Sequence, residues 1–242
     1  MTFKALIGAA AMLAFTTGMA SGQDLTVSLG DNSLTGQSLL LLGLVTVLSL
    51  APGLAVMVTC FPFIVTVLSI LRQAIGLQQS PPNMLIVSLA LFLTWFIMEP
   101  VFAASWSAGF EPLLAGSLDI GTAFDRGIAP FRVFMAARLD AETFLSLANL
   151  RPETADLSDA DSAPLSLLVP SFMLSEVARA FEIGFLVFLP FLIIDLVVSA
   201  VLMSMGMMMV PPAIVALPFK LAFFVVADGW SLISGALVRS YF

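Results

Sequence analysis

No charged residue occurs between Asp31 and Arg72. At about 1.5 Å per residue, one helix of that length would far exceed a ~30 Å hydrocarbon layer. Pro52-Gly53 and Pro62 interrupt the run. The pattern predicts two helical pieces, 38–51 and 54–71, with a break at Pro52-Gly53. Broken apolar helices are tolerated where other protein satisfies the freed backbone groups, so this region is expected to pack within an assembly.

The rest of the composition follows the same logic. Of 242 residues, 60% are hydrophobic and 10% are charged. A soluble domain carries about 25% charged residues, so the chain reads as an integral, all-α membrane protein. It has no histidine and one cysteine, Cys60. That excludes a His-centred metal site, a Ser-His-Asp triad, a Cys-His pair and an intrachain disulfide framework. No metal or cofactor is expected. A net charge of −7 argues against nucleic acid as a partner.

Four segments follow in order. Residues 1–22 read as a secretory signal peptide: Lys4, a short apolar run over 5–15, then small residues up to Ser21 and Gly22. An uncleaved first helix is the alternative, disfavoured by the shortness of the apolar run. Residues 23–100 form a polar lead and the first apolar helices. Within them, Arg72 to Asn83 reads as a turn carrying Gly76, Gln78, Gln79, Pro81 and Pro82. The next helix is expected over 84–98, closed by Glu99-Pro100. Residues 101–170 hold nine acids and four arginines, a local charge of −5 (nine minus four). They read as a small, mainly helical external domain, with Phe131, Phe134, Met135 and Arg138 at helical spacing. Residues 171–242 form an apolar helical hairpin. Its first arm is expected over 172–203, started by Pro170-Ser171 and bent near Pro190. Its second is expected over 213–226, broken by Pro218 and ended by Asp228-Gly229-Trp230. An amphipathic tail follows.

The hairpin tip, Met203-Ser-Met-Gly-Met-Met-Met-Val-Pro-Pro212, holds five of the 13 methionines. Gly206 permits a turn, and Pro211-Pro212 stop one helix while allowing another to start. Methionine is flexible and polarizable, suited to sealing around irregular objects and equally to filling a core or facing lipid.

Glu176, Arg179, Glu182, Asp195 and Lys220 lie in or beside the last two apolar helices. A charge in hydrocarbon costs at least ~2.5–3.5 kcal/mol, so each must meet protein or water. Glu176 and Arg179 are spaced to pair at i,i+3. Asp195 has no basic residue within a helical turn, and Lys220 needs an anion from another helix or another subunit. Pairing of Glu176 with Lys220 between copies is one solution. For Asp195, structural pairing and proton carriage both remain open.

Five stretches resemble one family. They are Ile70 to Asn83, Pro170 to Glu176, Gly184 to Val198, Met203 to Pro212, and Leu217-Pro-Phe-Lys220 with Asp228-Gly-Trp230. Together they resemble the FliP/SctR export-gate family of type III secretion, in its flagellar rather than its virulence branch. The resemblance implies several copies assembled with FliQ and FliR into a helical, pore-containing complex. That complex would sit largely on the periplasmic side of the inner membrane, beside FlhA and FlhB, and pass unfolded flagellar subunits. It also implies a pore gasket of Met207, Met208 and Met209. A small-solute or ion transporter would instead show inverted repeats, and none stands out. An intramembrane hydrolase would need Ser-Lys or Asp-Asp chemistry, and no motif supports it.

Overall fold

The computed structural model describes residues 34–77, 81–155, 157, 159–207 and 209–242. The expected signal peptide, Gln78, Gln79 and Met208 lie outside the described residues. The chain divides into two units, Met1–Ser49 and Leu50–Phe242. All regular structure among the described residues is helical. The elements are α1 (Leu34–Met57), α2 (Phe61–Ile75), α3 (Asn83–Ser105), a π-helical turn (Trp106–Phe110), α4 (Glu111–Leu114), α5 (Ile120–Arg138), α6 (Ala141–Ala148), α7 (Leu165–Ser204), α8 (Pro212–Val226) and α9 (Gly229–Arg239).

The protein is an all-α membrane protein. Asn83–Leu114 and Leu165–Ser204, 32 and 40 residues long, are each long and apolar enough to cross a membrane. Two further pairs qualify if each is one broken span: Leu41–Met57 with Phe61–Ile75, and Pro212–Val226 with Gly229–Arg239, the latter bent by 61°.

The second unit is organised around α2. Phe63, Ile64, Val67, Leu68, Leu71 and Ala74 are fully buried, and their spacing places them on one face of the helix, an arc of about 140°. Each large side chain so buried contributes on the order of 1.5–3 kcal/mol of transfer free energy. Its closest partner is α7. A Cβ built on Gly184 would run into the end of the Ile70 side chain and lie 3.2 Å from its Cγ2, so the bare glycine lets Ile70 pack directly against α7. Small residues also set the crossing of the π turn with α5. A Cβ on Gly109 would lie 2.6 Å from the Ala123 carbonyl and 2.8 Å from Gly127 Cα. The Ser105 hydroxyl, at the end of α3, donates to the Gly127 carbonyl at 2.6 Å, so the crossing is both tight and hydrogen-bonded.

Four expected helix ends are corrected. The first break lies at Val58–Cys60 rather than at Pro52-Gly53, and Pro52 is inside α1. Pro62 occupies the first turn of α2, where its missing N–H costs nothing. Pro100 is inside α3, which runs on to Ser105. The long arm of the hairpin begins at Leu165, after Pro164, so Pro170 and Ser171 lie within it; Ser171 is buried and donates to the Leu167 carbonyl at 2.8 Å instead of capping. Pro218 does not divide α8. In each case continuing the helix forfeits one hydrogen bond, whereas breaking it would expose several backbone groups in apolar surroundings.

Candidate functional site

Of the five charges expected in the apolar helices, Glu176, Asp195 and Lys220 fall into two clusters at helix ends, and Arg179 and Glu182 join neither. The first surrounds Glu176 on α7, which is completely buried. Its Oε1 accepts from Arg138 Nε at 3.0 Å, and its Oε2 accepts from the Tyr241 hydroxyl. Arg138 closes α5. Its Nη1 donates to the Ser240 carbonyl at 2.8 Å, and its guanidinium lies 4.0 Å from the centre of the Tyr241 ring. Tyr241 meets Phe63 edge-on and stacks on Phe134. One carboxylate thus holds α5, α7 and the segment after α9 against α2.

The second cluster surrounds Lys220 on α8. Its Nζ lies 2.6 Å from Asp195 Oδ2 of α7 and donates to the Ala74 carbonyl at 3.1 Å. Ala74 belongs to the last turn of α2, where carbonyls lack intrahelical partners and the helix dipole is negative. Gly76 follows in the left-handed conformation (φ 90°) and ends the helix. Lys220 therefore neutralises Asp195 and caps α2 at once. Arg72, in the same turn of α2, donates to Asn83 Oδ1 at the start of α3, which ties the two sides of the turn containing Pro81 and Pro82.

These are the two ion pairs among the described residues. Within one chain, Glu176 is brought to neither Arg179 nor Lys220. Asp195 and Lys220, each read from sequence as a lone charge, meet one another. The partners missed by sequence reasoning were Arg138 and Tyr241. A signal existed for both: Arg138 continues the apolar stripe Phe131, Phe134, Met135, so it enters the core and must find an acid, and Tyr241 is the chain's single tyrosine.

The methionine tip is built by a Schellman turn. Gly206 takes φ 76°; its N–H donates to the Met203 carbonyl at 3.1 Å, and Met207 N–H donates to the Leu202 carbonyl at 3.0 Å. This satisfies the last carbonyls of α7 and fixes where the methionines stand. Met209 is 97% exposed and Met205 67%. Met205 and Met207 also line a wholly apolar groove of about 620 Å³ between α7 and α8, with Val201, Leu202, Val215 and Phe219. Among the described residues no cluster of acids, cysteine and histidine could hold a metal ion.

Residues 44–237 match the FliP family. The chain belongs to this family. It is 50% identical over 220 residues to the flagellar biosynthetic protein FliP of Caulobacter vibrioides, covering 89% of this chain and 81% of that one. It is 46% identical to the protein of that name from Rhizobium meliloti, covering 87% and 86%. The Bacillus subtilis relative is 44% identical, covering 83% and 90%. The matched residues include Arg138, Glu176, Asp195, Lys220 and the methionine tip, and end before Tyr241. A role in flagellar export follows from membership of the family.

Proposed function

We propose that the chain is a pore-forming structural subunit of the flagellar type III protein-export gate, not an enzyme. Several copies assemble with FliQ and FliR in the inner membrane, much of the complex on its periplasmic side and in reach of FlhA and FlhB. Unfolded flagellar subunits pass through the shared pore. The observation that supports this reading most is the tip: methionines held bare at the end of a 40-residue helix by a fixed turn. Left on one chain, such side chains forfeit their burial; brought to a common axis by neighbouring copies, Met207, Met208 and Met209 fill a constriction that yields to a polypeptide. Long thioether chains suit both tasks, because they adapt without a fixed shape.

The test replaces all three methionines with alanine and, separately, with leucine, at matched abundance of assembled complex. Alanine is expected to leave an assembled but leaky pore, read as small-solute permeability. Leucine, of similar volume and stiffer, is expected to seal while slowing export. Normal sealing by the triple-alanine complex would overturn the gasket assignment.

A further inference from the structure

Glu182 is the one ionisable side chain in the middle of the bare side of α7. It is exposed and has no hydrogen bond or ion pair among the described residues. On one side of it run Phe181, Phe185 and Leu196, and on the other Leu186, Ile193 and Val197, all 57–61% exposed. A carboxylate at the centre of an apolar arc is costly in lipid and needs a cation or water. The arc supplies a cation of its own. Arg179 lies at the arc's edge, one turn earlier and half-buried, yet forms no ion pair with Glu182 in the same chain. Asp140 lies within reach of its field, and the two form no ion pair.

We propose that a second copy of this chain covers the bare arc of α7 head-to-tail, with Arg179 of one copy paired to Glu182 of the next. The contact rests on the assembly reading above and gives it a partner, a face and a register. It joins the edge of one arc to the centre of another, so it is heterologous: the two faces differ, and each copy can accept one neighbour and offer itself to another. The two residues are three apart, which is about 4.5 Å along the helix axis. Arg179 of one copy and Glu182 of the next pair across an offset of that size, which their two long side chains can span. The flanking aromatic and aliphatic side chains exclude water from the pair and give it more weight than an exposed bridge would have.

The experiment uses the full chain expressed with its partner subunits, extracted in mild detergent and weighed by native mass measurement. Arg179→Glu and Glu182→Arg, each alone, are expected to lower the assembled multimer about tenfold, as stranding one member of a desolvated pair does. The double variant R179E/E182R is expected to recover most of it. The deciding arm co-expresses the two single variants. Charges that pair between copies are then rescued in trans by alternation, whereas a pair within one chain is not. Cysteines at both positions in a Cys60→Ser background should also cross-link adjacent copies. The proposal is overturned if the single variants assemble normally, or if rescue occurs in the double variant alone. It is also overturned if a Glu182→Cys chain stays fully reactive to a membrane-impermeant thiol reagent in the assembled complex, which would place the residue in a water-filled path. A wild-type chain that weighs as a monomer would instead overturn the assembly reading itself, so the two failures are distinguishable.

Discussion

The two halves of α7 are one continuous helix and two different environments. In the first half Leu167, Leu168, Ser171, Phe172, Ser175, Glu176, Ala180 and Gly184 are buried; in the second, Phe191 and Leu202 are the buried positions. Only 11% of its most apolar window is covered by the rest of the chain. Apolar content therefore does not decide where a segment of this protein is buried. The first half sits against α2 because Gly184 permits close approach and because Glu176 binds Arg138 and Tyr241 there. The second half is more apolar; α8, the Lys220–Asp195 pair and, near Phe191, the start of α9 lie beside it. A single chain completes the first half, and the second is left for what surrounds it.

The largest test of this contrast is Glu176→Ala. It strands a largely enclosed arginine and is expected to cost about 3 kcal/mol, read as a lowered denaturation midpoint of the detergent-solubilised chain. Lys220→Met should cost less, because the Asp195 side chain it strands is 31% exposed, whereas Glu176 is fully enclosed; hydrogen exchange in the last turn of α2 should still rise, since the Ala74 carbonyl loses its cap. Gly109→Ala pushes a methyl group into backbone that cannot rotate away, and overpacking of this kind costs about 1–3 kcal/mol. At the other end of the scale, Leu196→Ala and Val197→Ala should leave the isolated chain within about 0.5 kcal/mol of its original stability, as exposed positions do. A fall in assembled complex without a fall in chain stability would sharpen the contrast; equal losses in both would break it.

The smallest effect is set by pH. Asp119 caps α5 by accepting from Thr122, and the hydroxyl and backbone of Thr122 hold its carboxyl below the ordinary 3.8. Asp140 caps α6 in the same way, held down chiefly by the Thr143 backbone N–H. A depressed carboxyl stabilises the fold above its unfolded value. That contribution is complete above about pH 4 and is lost as pH falls through the lower folded value. Amide exchange at the first turns of α5 and α6 should therefore quicken only below pH 4, and Asp140→Asn should remove the pH response at α6.

How much of this could be read in advance depended on the residue type. The all-α membrane class followed from one long uncharged run and a low charge content. Helix ends were misread wherever proline was taken as a stop. Pro52, Pro100, Pro170 and Pro218 all lie inside helices, because in apolar surroundings a lost hydrogen bond is cheaper than a lost helix. Gly76 and Gly206 ended their helices as expected, since each takes a left-handed conformation that other residues resist. The site was legible by residue and not by partnership. Glu176, Asp195 and Lys220 were recognisable as charges needing company. Yet Glu176 finds Arg138 across 38 positions and Tyr241 across 65, and no local periodicity encodes such distances.

One of those distances sets an order in time. Lys220 closes the last turn of α2 by reaching the Ala74 carbonyl, 146 positions earlier in the chain. At a synthesis rate of roughly 5–20 residues per second, several seconds separate the appearance of the helix end from that of its cap. During that interval the centre of the future core has an open end, with its carbonyls served by water or by lipid headgroups. The helix around which the second unit is organised must therefore wait, incompletely closed, for one of the last segments to be made. A ribosome that stalls between Ala74 and Lys220 would leave a chain whose core helix frays from the end that faces the unfinished part.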